Sequence, residues 1–333
     1  MDDGLRWHGD DELSDGLIDL AVNVRQPSPP DWLAEVLAGT ISRLGAYPDA
    51  RPARAAIAAR HGVGEELVLP TAGGAEAFTL LARGLPTRSA AVVHPQFTEP
   101  EAALRVAGVP VRQVLLEGPA YALDPGLVPE EADLVVVGNP TNPTGVLHPA
   151  EALRGLCRPG RVVLVDEAFS DAVPGEPESL IGPGMSGLLV ARSLTKTWSL
   201  AGVRAGYVVG DPELVARLAE QQPHWSVSTP AIAAMVATAT PAAVAEAEAA
   251  AVRLAEHRAH LVDGLTRAGL EVVGGQHAPF VLVRGSEGLR ETLRTKGFAV
   301  RRCDTFPGLG AEFVRLAVRE PAVTDALLAA VRG

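Results

Sequence analysis

The chain has 333 residues, 47% of them hydrophobic, with 34 glycines, 27 prolines and a formal net charge of −11. That length exceeds one ordinary small domain and suits a large α/β unit with a smaller second lobe, able to bury a core without disulfide support. The acidic balance and the scattering of arginines through apolar segments argue against nucleic acid as a partner, and no apolar run approaches the roughly 18 residues of a membrane span.

Residues 1–30 read as an extended arm, acidic at first and then proline-rich at Gln26–Pro30. The first twenty residues resemble neither a signal nor a transit peptide, so cytoplasmic residence is expected. A helix is expected from Asp31, a candidate N-cap, to about Arg43. A turn at Gly45-Ala46-Tyr47-Pro48 precedes an Ala/Arg-rich helix ending at His61-Gly62.

From there short apolar runs alternate with helix-length segments. Strands are expected at Leu67–Pro70, Ala90–His94, Val111–Leu115, Leu134–Gly138, Val162–Asp166, Leu188–Arg192 and Ala205–Gly210. Helices are expected at Ala75–Leu85, Thr98–Ala107 and Pro149–Leu156. Continuous Val/Leu runs such as Leu134–Val137 suit strands buried on both faces of a mostly parallel sheet, which predicts a three-layer α/β domain. Cys157 and Cys303 lie far apart and suggest neither a disulfide framework nor a metal site.

After Pro223 the texture changes. Residues 230–268 are Ala-rich and long enough for two helices. Strands at Glu271–Val273, Phe280–Val283, Phe298–Arg301 and Phe313–Val318, a helix around Glu287–Lys296 and a last helix to Val331 make an α+β lobe. The expected division is an arm at 1–30 belonging to the small lobe, a large domain at 31–225, and linking helices with the small domain at 226–333.

Ligands of open α/β sheets sit at the carboxyl ends of the strands. After the first strand comes Thr71-Ala72-Gly73-Gly74-Ala75-Glu76, where small residues open a helix. It reads as an anion-binding turn or as a plain strand-to-helix connection. After Leu134–Gly138 comes Asn139-Pro140-Thr141-Asn142-Pro143-Thr144-Gly145. Each proline excludes αR from the residue before it, so this loop is extended and rigid, able to orient an amide on a ligand oxygen.

Asp166 ends an all-apolar strand, where an unpaired carboxylate is costly. It is either a helix N-cap or the partner of a buried cation such as a protonated ring nitrogen. After Leu188–Arg192 comes Ser193-Leu194-Thr195-Lys196, with Arg204 eight residues on, supplying hydroxyls and a guanidinium suited to phosphate. Of the 29 basic residues only Lys196 and Lys296 are lysines. Lys296 ends a probable surface helix, so Lys196 is the candidate reactive amine.

The runs TAGGAEAF, HPQF, NPTNPTG, VDEAF and SLTK…GVRAGY resemble the class I/II aminotransferases, the fold-type I pyridoxal-phosphate enzymes, over nearly the whole chain. The nearest branch looks like histidinol-phosphate aminotransferase together with threonine-phosphate decarboxylase. The resemblance implies pyridoxal phosphate bound as a Schiff base on Lys196, with Asp166 facing the pyridine nitrogen, Asn142 on the phenolic oxygen and Phe97 stacked on the ring. Gly74, Ala75, Ser193, Thr195 and Arg204 would hold the cofactor phosphate. Tyr47 would reach the neighbouring subunit's site in a homodimer.

For the substrate, a small phosphorylated amino acid, the resemblance implies Arg315 on the carboxylate, Arg301 on a distal phosphate, and Asn23, Asn142 and His8 as further contacts. Arg301 and Arg302 could instead be a solvated pair. Phe169 stands where most of the family has Tyr. That feature and Phe306-Pro307-Gly308-Leu309-Gly310 look like the decarboxylase of the cobalamin pathway, the function expected here. The alternatives are an aminotransferase of histidinol-phosphate type using 2-oxoglutarate and glutamate, and a non-catalytic cofactor-binding regulatory module.

Overall fold

The computed structural model describes residues 3–332. Its larger sheet has seven strands, β2 (Val68–Thr71), β3 (Ala90–His94), β4 (Val111–Leu115), β5 (Leu134–Gly138), β6 (Val162–Asp166), β7 (Leu188–Ser193) and β8 (Gly206–Gly210). Their order across the sheet is β2-β8-β7-β6-β5-β3-β4, with β8 antiparallel to both neighbours and the strands from β7 to β4 parallel.

The apolar runs explain the layers. Ala91, Val93, Val135, Val137, Val163, Val165 and Val190 point into one core, with helices α1 (Asp31–Ala38), α2 (Arg51–His61), α5 (Ala150–Arg154) and α8 (Thr229–Thr238). The alternate residues Ala90, Val92, Leu134, Val136, Leu164 and Leu189 point into the other, with α3 (Gly74–Gly84), α4 (Glu99–Val106) and α7 (Pro212–Gln221). A strand with two buried faces has no polar side, so it reads as a continuous apolar run.

The second sheet has the order β1-β11-β12-β10-β9. Its strands are β1 (Ile18–Leu20), β9 (Glu271–Val273), β10 (Phe280–Arg284), β11 (Phe298–Arg302) and β12 (Phe313–Ala317), covered by α9 (Pro241–Arg267), α10 (Leu289–Thr295) and α11 (Pro321–Arg332). The strand α6 (Thr195–Trp198) follows is β7, and this short turn of helix carries Lys196. Among the described residues no single helix is long and apolar enough to cross a membrane.

Three expectations need correction. Residues 1–30 are not simply extended, since they make 3-10 turns at Asp3–Arg6 and Asp10–Glu12 and add β1 parallel to β11. Asp31 is the first helical residue rather than the N-cap, which is Pro30, and α1 stops at Ala38 before a separate 3-10 turn at Ile41–Arg43. The helix α7 was not expected, although its start carries a capping signal. Asp211 accepts from the backbone N–H of Glu213 and Leu214, and Pro212 opens the first turn.

Candidate active site

A cavity of about 430 Å³ opens at the carboxyl ends of the parallel strands. The chain crosses from β3 to β4 on one side and from β5 to β6 on the other, so the loops that follow the neighbouring strands β3 and β5 diverge at this switch point. Phe97 and Asn142 come from those two loops and both line the cavity.

One end of the cavity is built for an anion. Gly74 and Ala75 begin the eleven-residue helix α3 there, beside Ser193, Thr195 and Arg204. Gly73 has φ of +78°, and a Cβ on it would lie 2.9 Å from Arg204 Nη2. Glu76 reaches back to accept from the Ala72 N–H at 2.6 Å, which fixes the turn ahead of the helix. Free helix N–H groups, two hydroxyls and a guanidinium make a phosphate-binding set.

Lys196 and Asp166 line the same cavity. Burial, together with the positive charges of Arg315 and Arg204, brings the Lys196 amine down to about 8. About a tenth of it is therefore the neutral nucleophile at pH 7, far more than for an exposed lysine. Burial pushes the Asp166 carboxyl up to about 6, against the Ala168 N–H that donates to it at 3.1 Å and the nearby Lys196 charge. It is not a helix N-cap: β6 ends at Asp166, and the 3-10 turn that follows begins only at Ser170.

The two asparagines of the β5 loop divide their work. Asn139 is a latch, donating to the His148 carbonyl at 3.1 Å and accepting from its N–H at 2.7 Å. Asn142 faces the cavity, and its Oδ1 accepts from Arg315 Nη1 at 2.6 Å. That contact orients the amide so that its N–H₂ group is left to donate. Phe169 lies on the cavity wall edge-on to Phe280, with centroids 5.1 Å apart, and brings no donor.

Another part of the wall is cationic. Arg301 and Arg315 are register partners across β11 and β12, and both are buried against the cavity. Burial, with the Arg301 charge beside it, lowers Arg315 to about 9. Arg315 also donates to the Ala21 carbonyl, while its Nε and the Asn23 Oδ1 have no hydrogen-bond partner among the described residues. His8 lines this wall 5.5 Å from the Phe97 ring.

The reading of Arg301 and Arg302 as a solvated pair fails. Arg301 is 2% exposed, whereas Arg302 turns outward to Asp304. Tyr47 is not in this cavity; it is 77% exposed and stacked on Trp225 with centroids 4.2 Å apart. Lys296 is also elsewhere, donating to the Ala330 carbonyl at 2.6 Å. Sequence reasoning missed Asp10 and Thr98, which line the cavity, and Glu12 and Trp7 behind it. None of the four sits in a motif; the folded arm brings Trp7, Asp10 and Glu12 there, and the loop after β3 brings Thr98.

The family model for aminotransferase class I and II matches residues 15–331. A histidinol-phosphate aminotransferase of Mycobacterium tuberculosis is 52% identical over 319 residues, covering 94% of this chain and 87% of that protein. A threonine-phosphate decarboxylase of Salmonella typhimurium is 30% identical over 335 residues, covering 96% and 91%. The solved histidinol-phosphate aminotransferase of Clostridium acetobutylicum superposes with a TM-score of 0.85 at 23% identity, covering 94% of this chain and 98% of that one.

Proposed function

The chain belongs to the class I and II aminotransferases, a family of pyridoxal-phosphate enzymes, and we propose that it moves the amino group of a phosphorylated amine of histidinol-phosphate type to 2-oxoglutarate. The observation that carries the proposal is the pair of buried guanidiniums, Arg301 and Arg315, side by side in the wall of the cavity that Lys196 also lines. Two such groups suit a substrate pair that brings a phosphate in one half-reaction and carboxylates in the other. The sequence alone favoured decarboxylation, but the relative at 52% identity moves the proposal to transamination, against 30% for the decarboxylase.

The residues fit the cofactor. A phosphate needs the donors of Gly74, Ala75, Ser193, Thr195 and Arg204, and a protonated ring nitrogen needs a buried carboxylate such as Asp166. Once bound, pyridoxal phosphate supplies an electron sink for the bonds at the substrate Cα. Asp166 would keep the ring nitrogen protonated. Phe97 would cover the ring, and Asn142, its amide fixed by Arg315, would donate to the ring oxygen. Lys196 would carry the cofactor and hold the proton taken from the substrate Cα, work suited to an amine brought down to about 8.

Arg315 and Asn23 orient the substrate, with Arg301 and His8 on its phosphate. Tyr47, on an exposed face with Ile41, Leu44 and Trp225, completes the site of a second subunit in a homodimer.

A second reading is kept for one reason. Phe169 lacks the hydroxyl of the usual tyrosine, as in the threonine-phosphate decarboxylases the sequence resembles. Incubation with histidinol phosphate and 2-oxoglutarate decides between them. The proposal expects glutamate to form in step with loss of the amine. Carbon dioxide released from O-phospho-threonine without any keto acid, and no glutamate from the first mixture, would make the decarboxylase the function.

A further inference from the structure

The cationic wall rests on a carboxylate that catalysis does not call upon. Glu12 is 1% exposed and ends the second 3-10 turn of the arm. Its Oε1 accepts from Trp7 Nε1 at 3.2 Å and from the Arg302 backbone N–H at 3.0 Å. Its Oε2 accepts from Arg290 Nε at 2.9 Å and Nη2 at 2.7 Å, and its carbonyl from Arg294 Nη1 at 2.8 Å. One buried side chain thereby ties the arm to α10 and to the end of β11. Burying a carboxylate is tolerable only with such a full set of donors.

What the tie holds is Arg301. Its Nη2 donates to the Trp7 carbonyl at 2.6 Å and to Thr305 Oγ1 at 2.7 Å, and its Nη1 to the Arg302 carbonyl at 2.6 Å. Both carbonyls belong to residues that Glu12 pins. Glu12 Oε1 itself stands 4.0 Å from Arg301 Nη1, and the guanidinium lies over the Phe306 ring at 4.8 Å. The arm is anchored at two further points. Thr98 Oγ1 donates to the Leu5 carbonyl at 2.5 Å, and Gly9 packs so closely that a Cβ would lie 2.5 Å from the Ala21 carbonyl oxygen. His8, Gly9 and Asp10 between these anchors are cavity wall.

We propose that Glu12 is a positioning residue for the substrate phosphate: it pins Trp7 and the Arg302 backbone so that Arg301 presents its guanidinium in one orientation. An arginine free to choose its rotamer gives up that freedom on gripping an anion, and a clamped one has less to give up. The inference rests on the phosphorylated-substrate reading of the site. It predicts an effect on phosphate recognition rather than on the chemistry at Cα.

The test measures kcat and KM of the holoenzyme with histidinol phosphate and with histidinol, or with O-phospho-threonine and threonine if those are turned over instead. Wild type is compared with Glu12→Gln, Trp7→Phe and Arg301→Lys. Glu12→Gln is expected to raise KM for the phosphorylated member about tenfold or more, and to narrow the preference over its dephosphorylated counterpart. Trp7→Phe, which removes one N–H and keeps the ring beneath Arg302, should move the preference in the same direction by less. It decides the matter if Glu12→Gln does not fold.

Equal losses on both substrates would make Glu12 a purely structural tie and overturn the inference. A preference that falls in Arg301→Lys but stays at the wild-type value in Glu12→Gln and Trp7→Phe overturns this inference alone. A wild-type enzyme indifferent to the phosphate overturns the underlying reading as well.

Discussion

Asp166 sits in the fold at a loss. Its carboxyl stands at about 6, above the roughly 3.9 of an exposed aspartate. The folded apoprotein therefore holds the proton more tightly than the unfolded chain, and stability falls as pH rises from about 4 through 6. Above that window the ionised group, which the Ala168 N–H and the Lys196 charge compensate only in part, costs on the order of 3 kcal/mol, which a protonated ring nitrogen beside it would offset. Asp166→Asn should accordingly melt higher than wild type as apoprotein at pH 7 to 8, with a flatter pH dependence. As holoenzyme it should lose activity on the order of 100- to 1000-fold. Thermal scans of the cofactor-free proteins check the first half; an Asn variant that melts lower would mean that the Ala168 N–H and Lys196 outweigh the cost of burying the charge. Lys196 and Asp166 were legible because the sequence isolates them, one as one of two lysines and the other as the lone charge ending an apolar strand. Glu12 was not, because its partners Arg290, Arg294 and Arg302 come from the far end of the chain.

Among the elements, the turn from β2 into α3 concentrates the most constraint. Gly73 has φ of +78° with ψ of 175°, a backbone region essentially reserved for glycine, where an alanine costs roughly 1–3 kcal/mol, and its missing side chain is what lets Arg204 approach. Gly62, closing α2 at φ of +64° and ψ of 33°, lies in the left-handed helical region, which costs an alanine roughly 1–2 kcal/mol, and has open space around it. Gly73→Ala should thus lose at least as much stability as Gly62→Ala, and only Gly73→Ala should weaken cofactor retention, by about tenfold. Titration of the two apoproteins with pyridoxal phosphate checks this, and equal affinities would separate Arg204 from the phosphate. The buried strands β3, β5 and β6 were readable to the residue, since two apolar faces leave an unbroken signature. The arm and β1 were not. The three residues Ile18–Leu20 are too few to show a period, and their pairing with β11 is fixed by the rest of the small sheet.

At the scale of the whole molecule, Tyr47 belongs to a surface rather than to its own cavity. It stacks on Trp225, itself 57% exposed, near the outward-facing Ile41 and Leu44. Such a group of large apolar side chains is a candidate contact with a second copy of the chain. The protein should sediment as a dimer. Tyr47→Phe should hold pyridoxal phosphate about tenfold less tightly, the loss of one hydrogen bond to a charged group, with its own core untouched. A monomer of full activity would remove Tyr47 from the site. The three-layer fold and the location of the site were legible because strand ends announce where a ligand sits. The choice between bonds at Cα was not, because it depends on how the two arginines and Asn23 hold the substrate.

The account turns on which amine carries the cofactor, and the chain offers two lysine side chains. Treating the purified holoenzyme with borohydride fixes the cofactor to whatever amine bears it, and digestion followed by mass spectrometry locates the mark. The predicted result is a pyridoxyl-phosphate adduct on the peptide that contains Lys196, with the Lys296 peptide unmodified. An adduct on Lys296, or a reduced protein with none on Lys196, would contradict the account.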